Sequence, residues 1–115
     1  MKLEKIVKKE VVIIKVLEER IDTKLTPEFK KELLAHIVQN SPNVIIDLAG
    51  VDYMDSSGLG ALLFGKRQSE RFLGNLVVIN PSPKVQRLVD IAHLNQTLLI
   101  FNSEKEAIDS FKKEE

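Results

Sequence analysis

The stretch that decides the fold is VIIDLAGVDYMDSSGLGALL, Val44 to Leu63. Val44 to Leu48 is a β-branched apolar run short enough to be a central strand. From Ser56 onward Leu59, Leu62, Leu63 and the stem of Lys66 recur at helical spacing, which predicts a helix from about Ser56 to about Arg71. Between them stand Asp55, Ser56 and Ser57. All three residue types favour a helix N-cap, and one cap is enough, so a hydroxyl is left over. Four of the five glycines fall between Gly50 and Gly65. Their plain interpretation is a tight strand-to-helix turn with close backbone approach. The sharper one is a functional helix N-terminus. An exposed serine in a first helical turn can accept a phosphoryl group. The helix dipole tolerates the ~1.5 to 2 added negative charges. Beside Asp55 that charge would repel a docked partner. On the residues alone, Ser56 and Ser57 are equal candidates.

Working outward, Val11 to Ile14, continuing through Val16 and Leu17, reads as a buried strand, with Leu3, Ile6 and Val7 as a short edge strand before it. Thr26-Pro27 opens a helix, with Thr26 as N-cap and Pro27 at the first helical position. Phe29, Leu33, Leu34, Ile37 and Val38 share its apolar face, and Asn40 to Asn43 ends it. Leu76 to Ile79 is a strand closed by Asn80-Pro81. Ser82-Pro83 caps a helix carrying Val85, Leu88, Val89 and Ala92. Leu98 to Phe101 is the last strand. Ser103 and Glu106 form a capping box for a final helix with Ala107, Ile108 and Phe111. The charged tail from Lys112 to Glu115 is expected to fray. Strand and helix alternate, which favours an α/β fold with parallel crossovers. Pattern alone does not order the strands.

The chain has 115 residues, a length that suits one domain. Size scaling allows roughly two-thirds of the chain's surface to be buried, enough for one core. Lys plus Arg and Asp plus Glu are 17 each, so the net charge is zero, and Trp is absent. That argues against direct nucleic-acid binding by a basic, aromatic surface. The absence of cysteine excludes disulfides, thiolate metal sites and a cysteine nucleophile. No run approaches a membrane span, and Met1 to Glu10 lacks a signal-peptide apolar core, so a cytoplasmic protein is the expectation.

Enzymatic readings fare poorly. Gly58-Leu59-Gly60 is too short for a phosphate-binding P-loop and no lysine follows it in the turn; the dinucleotide fingerprint is incomplete. A serine nucleophile needs a base. The two histidines, His36 and His93, fall inside and at the end of helices, where structural roles are expected. The G-x-S-x-G elbow is missing. Asp22, Asp47, Asp52 and Asp55 could gather at strand ends around Mg²⁺, although loop aspartates are common and no metal site is expected.

The segment Val44 to Leu63, centred on Asp55-Ser56-Ser57-Gly58-Leu59-Gly60, resembles the STAS-domain anti-anti-sigma factors (anti-sigma factor antagonists) of bacteria. Leu76 to Leu94 and Leu98 to Ile108 are similar to the family's later strand–helix units, so the resemblance covers nearly the whole chain as one STAS domain, residues 1–115. It implies a small α/β domain with a mixed, mostly parallel sheet of four to five strands, helices mainly on one face, and a side left for partners. It implies no enzyme activity and no cofactor. The implied partner is an anti-sigma factor that is itself a serine kinase. Binding it frees a sigma factor. Phosphorylation of the second serine, Ser57, breaks the complex, and a phosphoserine phosphatase restores it. Asp55 and Ser56 would shape the turn, Gly58 and Gly60 would admit the partner's backbone, and Leu59 would anchor core or partner. Asp22 resembles the family's acidic loop residue near the phosphosite, although Glu18 to Asp22 lacks the glycine usual just before it. The alternatives are a STAS scaffold or sensor module of a stress-signalling complex, or a small-ligand-binding domain.

Overall fold

A computed structural model describes residues 1–112. In chain order its elements are β1 (Leu3–Lys8), β2 (Val11–Val16), β3 (Arg20–Ile21), α1 (Thr26–Gln39), β4 (Asn43–Asp47), β5 (Tyr53–Met54), α2 (Ser56–Arg71), β6 (Asn75–Ile79), α3 (Pro83–Ile91), β7 (Ile100–Phe101) and α4 (Glu104–Asp109). The five-stranded sheet has the order β1-β2-β4-β6-β7. Only β1 runs antiparallel to its neighbour; the other pairings are parallel. This is the mixed, mostly parallel α/β architecture that the alternation implies.

The period of two along each strand sorts the core into two layers. Val12, Ile14, Val16, Val44, Ile46, Leu76 and Val78 face one side, where Phe29, Leu33 and Ile37 of α1, Leu59 and Leu62 of α2, and Val85 and Val89 of α3 cover them. Val11, Ile13, Ile45, Val77 and Ile79 face the other, where α4 contributes Ala107 and Ile108. Three helices therefore occupy one face and the short α4 the other. The buried strip of α1 is narrower than the sequence pattern implies. Leu34 and Val38, expected on its inner face, are 36% and 60% exposed.

Two further expectations need correction. Thr26 is not the N-cap of α1. It lies inside the helix, buried, and the cap position is Leu25, which makes no side-chain cap bond. The turn before α1 is already helical at Leu25, so the Asp22 carbonyl takes the amides of Leu25 and Thr26 and a capping hydroxyl is not needed. The last strand is only Ile100–Phe101, although Leu98 is buried as the pattern implies. Residues 113–115, the greater part of the charged tail, lie outside the described residues. Among the described residues no helix is long and apolar enough to cross a membrane.

Candidate functional site

The site is assembled by a two-stranded parallel sheet, β3 with β5, that pairs Arg20 with Tyr53 and Ile21 with Met54. Each strand is two residues long and neither is legible from periodicity. Their pairing carries Asp22 and Asp55 out of adjacent strand ends, and the Asp55 amide donates to the Ile21 carbonyl at 3.3 Å. The Arg20 guanidinium stacks 4.2 Å from the centre of the Tyr53 ring on the same small sheet.

Asp55 is the N-cap of α2. Its backbone is extended, and its Oδ1 accepts the amides of Ser57 at 2.9 Å and Gly58 at 3.2 Å, together with the Ser57 hydroxyl at 2.5 Å. One oxygen thus serves three donors. The Ser57 hydroxyl, foremost, and then the amides of Gly58, Ser57 and Thr23 hold the Asp55 carboxyl below its ordinary value, while desolvation opposes them. With Asp55 as the cap, both serines are spare. Ser56 is exposed; Ser57 is half-buried.

The neighbouring positions divide into interior and exterior. Gly58 does not serve a partner's approach: it is buried, and a Cβ there would lie 2.5 Å from Met54 Cγ and 3.1 Å from the Ile21 carbonyl oxygen. It lets α2 start hard against the β3–β5 sheet. Leu59 is likewise interior, 5% exposed in the main core, so it anchors the core. Gly60 is the glycine that faces open space: a Cβ there would have no neighbouring atom within 4 Å. Asp22 uses its Oδ1 to close its own loop, accepting the Lys24 amide at 3.1 Å. No residue from Glu18 to Asp22 has a positive φ, so this loop geometry does not need the family's glycine.

Asp22 and Asp55 lie at adjacent strand ends, but the four aspartates form no common cluster among the described residues. Asp47 accepts from Ala49 and Asn80, Asp22 and Asp55 cap backbone amides, and among the described residues no group of three His, Asp or Glu side chains is placed to hold a metal ion. His36 bonds to Asn40 in the last turn of α1, and His93 is exposed after α3. The acceptor of the Ser57 hydroxyl is Asp55, whose depressed pKa makes it a poor base.

A shallow groove runs from Ser56 and Tyr53 to the outer face of α3, where Lys84, Arg87 and Ile91 line it. Ile91 is 68% exposed. Sequence reasoning missed this wall. The available signal was the spacing: Lys84, Arg87, Leu88 and Ile91 share one helical face that is charged at one end and apolar at the other.

A family model for the STAS domain matches residues 2–107. The chain belongs to the STAS family. Among relatives of this STAS domain, the anti-sigma F factor antagonist of Lysinibacillus sphaericus is 31% identical over 104 residues, covering 90% of this chain and 87% of the relative. The anti-sigma-B factor antagonist of Listeria monocytogenes is 33% identical over 86 residues, 75% of each chain. The solved structure of the anti-sigma factor antagonist SpoIIAA in its unphosphorylated form superimposes with a TM-score of 0.76 at 28% identity, covering 95% of this chain and 93% of that one. The phosphorylated form of the Bacillus protein SpoIIAA gives 0.70 at 27% identity, covering 96% and 98%. The STAS domain thus groups with anti-sigma factor antagonists, which are regulators rather than enzymes.

Proposed function

We propose that this STAS domain is a phosphorylation-switched antagonist. Unmodified, it binds an anti-sigma factor that is also a serine kinase, and so releases a sigma factor. Phosphorylation of Ser57 turns the binding off, and a phosphoserine phosphatase resets it. Binding uses the Asp55–Gly60 turn, with Ser56 and Gly60 on its open side and Asp22 beside it.

The observation that carries the proposal is the shared Oδ1 of Asp55. It holds the Ser57 hydroxyl and two α2 amides at once. A phosphoryl ester on Ser57 removes the proton from the 2.5 Å contact and sets a dianion against a carboxylate. One of the two side chains must leave its position, and the surface offered to a partner changes in shape and in charge. The relatives named as antagonists, one of them solved in a phosphorylated form, support the same reading.

The test is phosphorylation by the purified cognate anti-sigma kinase with ATP, followed by site localisation and a binding assay. Phosphate is expected on Ser57, lost in Ser57→Ala and retained in Ser56→Ala. Ser57→Asp is expected to bind the partner at least about tenfold more weakly, about 1.4 kcal/mol. An unmodified Ser57, or equal affinity of Ser57→Asp and the unmodified chain, would sink the proposal.

A further inference from the structure

The β1 strand is one edge of the main sheet, and every residue in it from Glu4 to Lys8 is exposed. Ile6 and Val7 are 40% and 53% exposed. The register of the hairpin tells which backbone groups are unpaired. The Leu17 amide donates to the Lys2 carbonyl, so the Lys2–Leu17 pair is hydrogen-bonded, and the alternation makes Glu4–Lys15, Ile6–Ile13 and Lys8–Val11 hydrogen-bonded too. The amides and carbonyls of Leu3, Lys5 and Val7 therefore point away from the sheet.

We propose that this edge pairs with β1 of a second copy of the chain, antiparallel and centred on Ile6. The charge pattern selects that register. Lysines at an edge normally discourage pairing. Three two-fold registers, centred on Glu4, Lys5 and Ile6, let Leu3, Lys5 and Val7 make two or more bonded pairs among themselves across the seam, whereas centring on Leu3 or Val7 leaves one. Centred on Glu4, the strand sets Glu4 against Glu4. Centred on Lys5, it sets Lys5 against Lys5 and Lys2 against Lys8. Centred on Val7, it sets Lys5 against Lys9. Centred on Ile6, it sets Glu4 against Lys8 twice and Ile6 against Ile6, all three as non-hydrogen-bonded pairs whose side chains lie close together. In that register Lys5 and Val7 exchange the backbone bonds. The lysines that repel other partners and registers match this one. Lys8 already reaches toward Glu104 at 2.8 Å and lies between that carboxylate and the incoming Glu4. The seam is short and buries less than a standard interface, so the dimer is weak and concentration-dependent. It shares no residue with the Asp55–Gly60 turn and does not depend on phosphorylation.

Sedimentation of the full chain from about 10 μM to about 1 mM tests this. The mass is expected to rise from 13.0 kDa toward twice that value. Glu4→Lys and Lys8→Glu are each expected to abolish the rise. An equimolar mixture of the two is expected to restore it, because one chain then presents only cations and the other only anions at these positions. Lys5→Pro, which removes an outward amide and leaves the hairpin bonds intact, is expected to abolish it while circular dichroism stays unchanged. A monomer at every concentration, a dimer indifferent to Glu4→Lys, or a mixture that stays monomeric would overturn the proposal.

Discussion

Asp55 caps α2 and, in the proposed switch, also holds the hydroxyl that is modified. Asp55→Ala removes the cap of α2 and is expected to cost about 1 kcal/mol in urea unfolding. The pH dependence follows from the sign of its shift. Its folded pKa is depressed, so the stability it contributes is fully present above the unfolded value near 3.8 and is lost as pH falls through the folded value. Asp55→Asn is expected to flatten that acid segment of a stability–pH curve; an unchanged curve would show that the carboxylate's bonds do not favour the charged form. The two glycines of the turn separate cleanly. Gly58→Ala forces a Cβ against Met54 and Ile21, with an expected loss of about 1–3 kcal/mol. Gly60→Ala meets nothing and is expected to gain about 0.5–1 kcal/mol through helix propensity, read as a raised unfolding midpoint. The capping function of the Asp55-Ser56-Ser57 run was legible because all three residues suit it, and for the same reason the run did not say which one caps. Gly58's purpose was not legible. No glycine in the chain has a positive φ, so its requirement is space, and the atoms that fill that space come from β3 and β5.

Elements longer than about four residues were legible, because hydrophobic period and cap chemistry agree over their length. Ser82 accepts the Val85 amide and Ser103 the Glu106 amide, both at 3.2 Å, as the sequence implies. The return bond of the capping box shifts by one residue: the Glu106 carboxylate accepts from Asn102 instead of Ser103. The β3 and β5 strands escaped notice because two residues carry no period, yet they set the site. Turns hold the other surprises. The β1–β2 hairpin turns through Lys9 and Glu10, with φ of 49° and 68°, positions where Asn and Gly are favoured. Leu73, after α2, has φ of 68° and is 96% exposed. Each places a side chain in the left-handed region at a cost of about 1–2 kcal/mol. Leu73→Gly is therefore expected to raise stability by about 1 kcal/mol in chemical denaturation. Gly74 next to it behaves oppositely: Gly74→Ala would drive a Cβ into the Pro42 backbone and is expected to destabilise strongly.

At the scale of the whole molecule, a mostly parallel sheet carries the proposed switch at its rim. Alternation of strands and helices implied the parallel core, but the order of strands rests on which apolar faces meet, and those contacts are non-local. The central strands β2, β4 and β6 are buried on both faces, with Ile14, Ile45, Ile46 and Leu76 each at 0% exposure. In the first turn of α2, by contrast, the Ser57 and Gly58 amides share a single side-chain oxygen. Stability should therefore be graded from sheet to rim. Native-state hydrogen exchange is expected to show the amides of β2, β4 and β6 opening only with global unfolding. In Ser57→Asp, a second carboxylate replaces the hydroxyl that Asp55 accepts, and the two anions compete for the same amides. The Ser57-position and Gly58 amides are then expected to lose protection by about tenfold or more, while the central strands keep theirs apart from any change in global stability. Equal loss of protection in β4 would mean that the turn and the sheet unfold as one unit. A charge at position 57 would then act by loosening the whole domain, and the local surface of the turn would not be the element that a partner distinguishes.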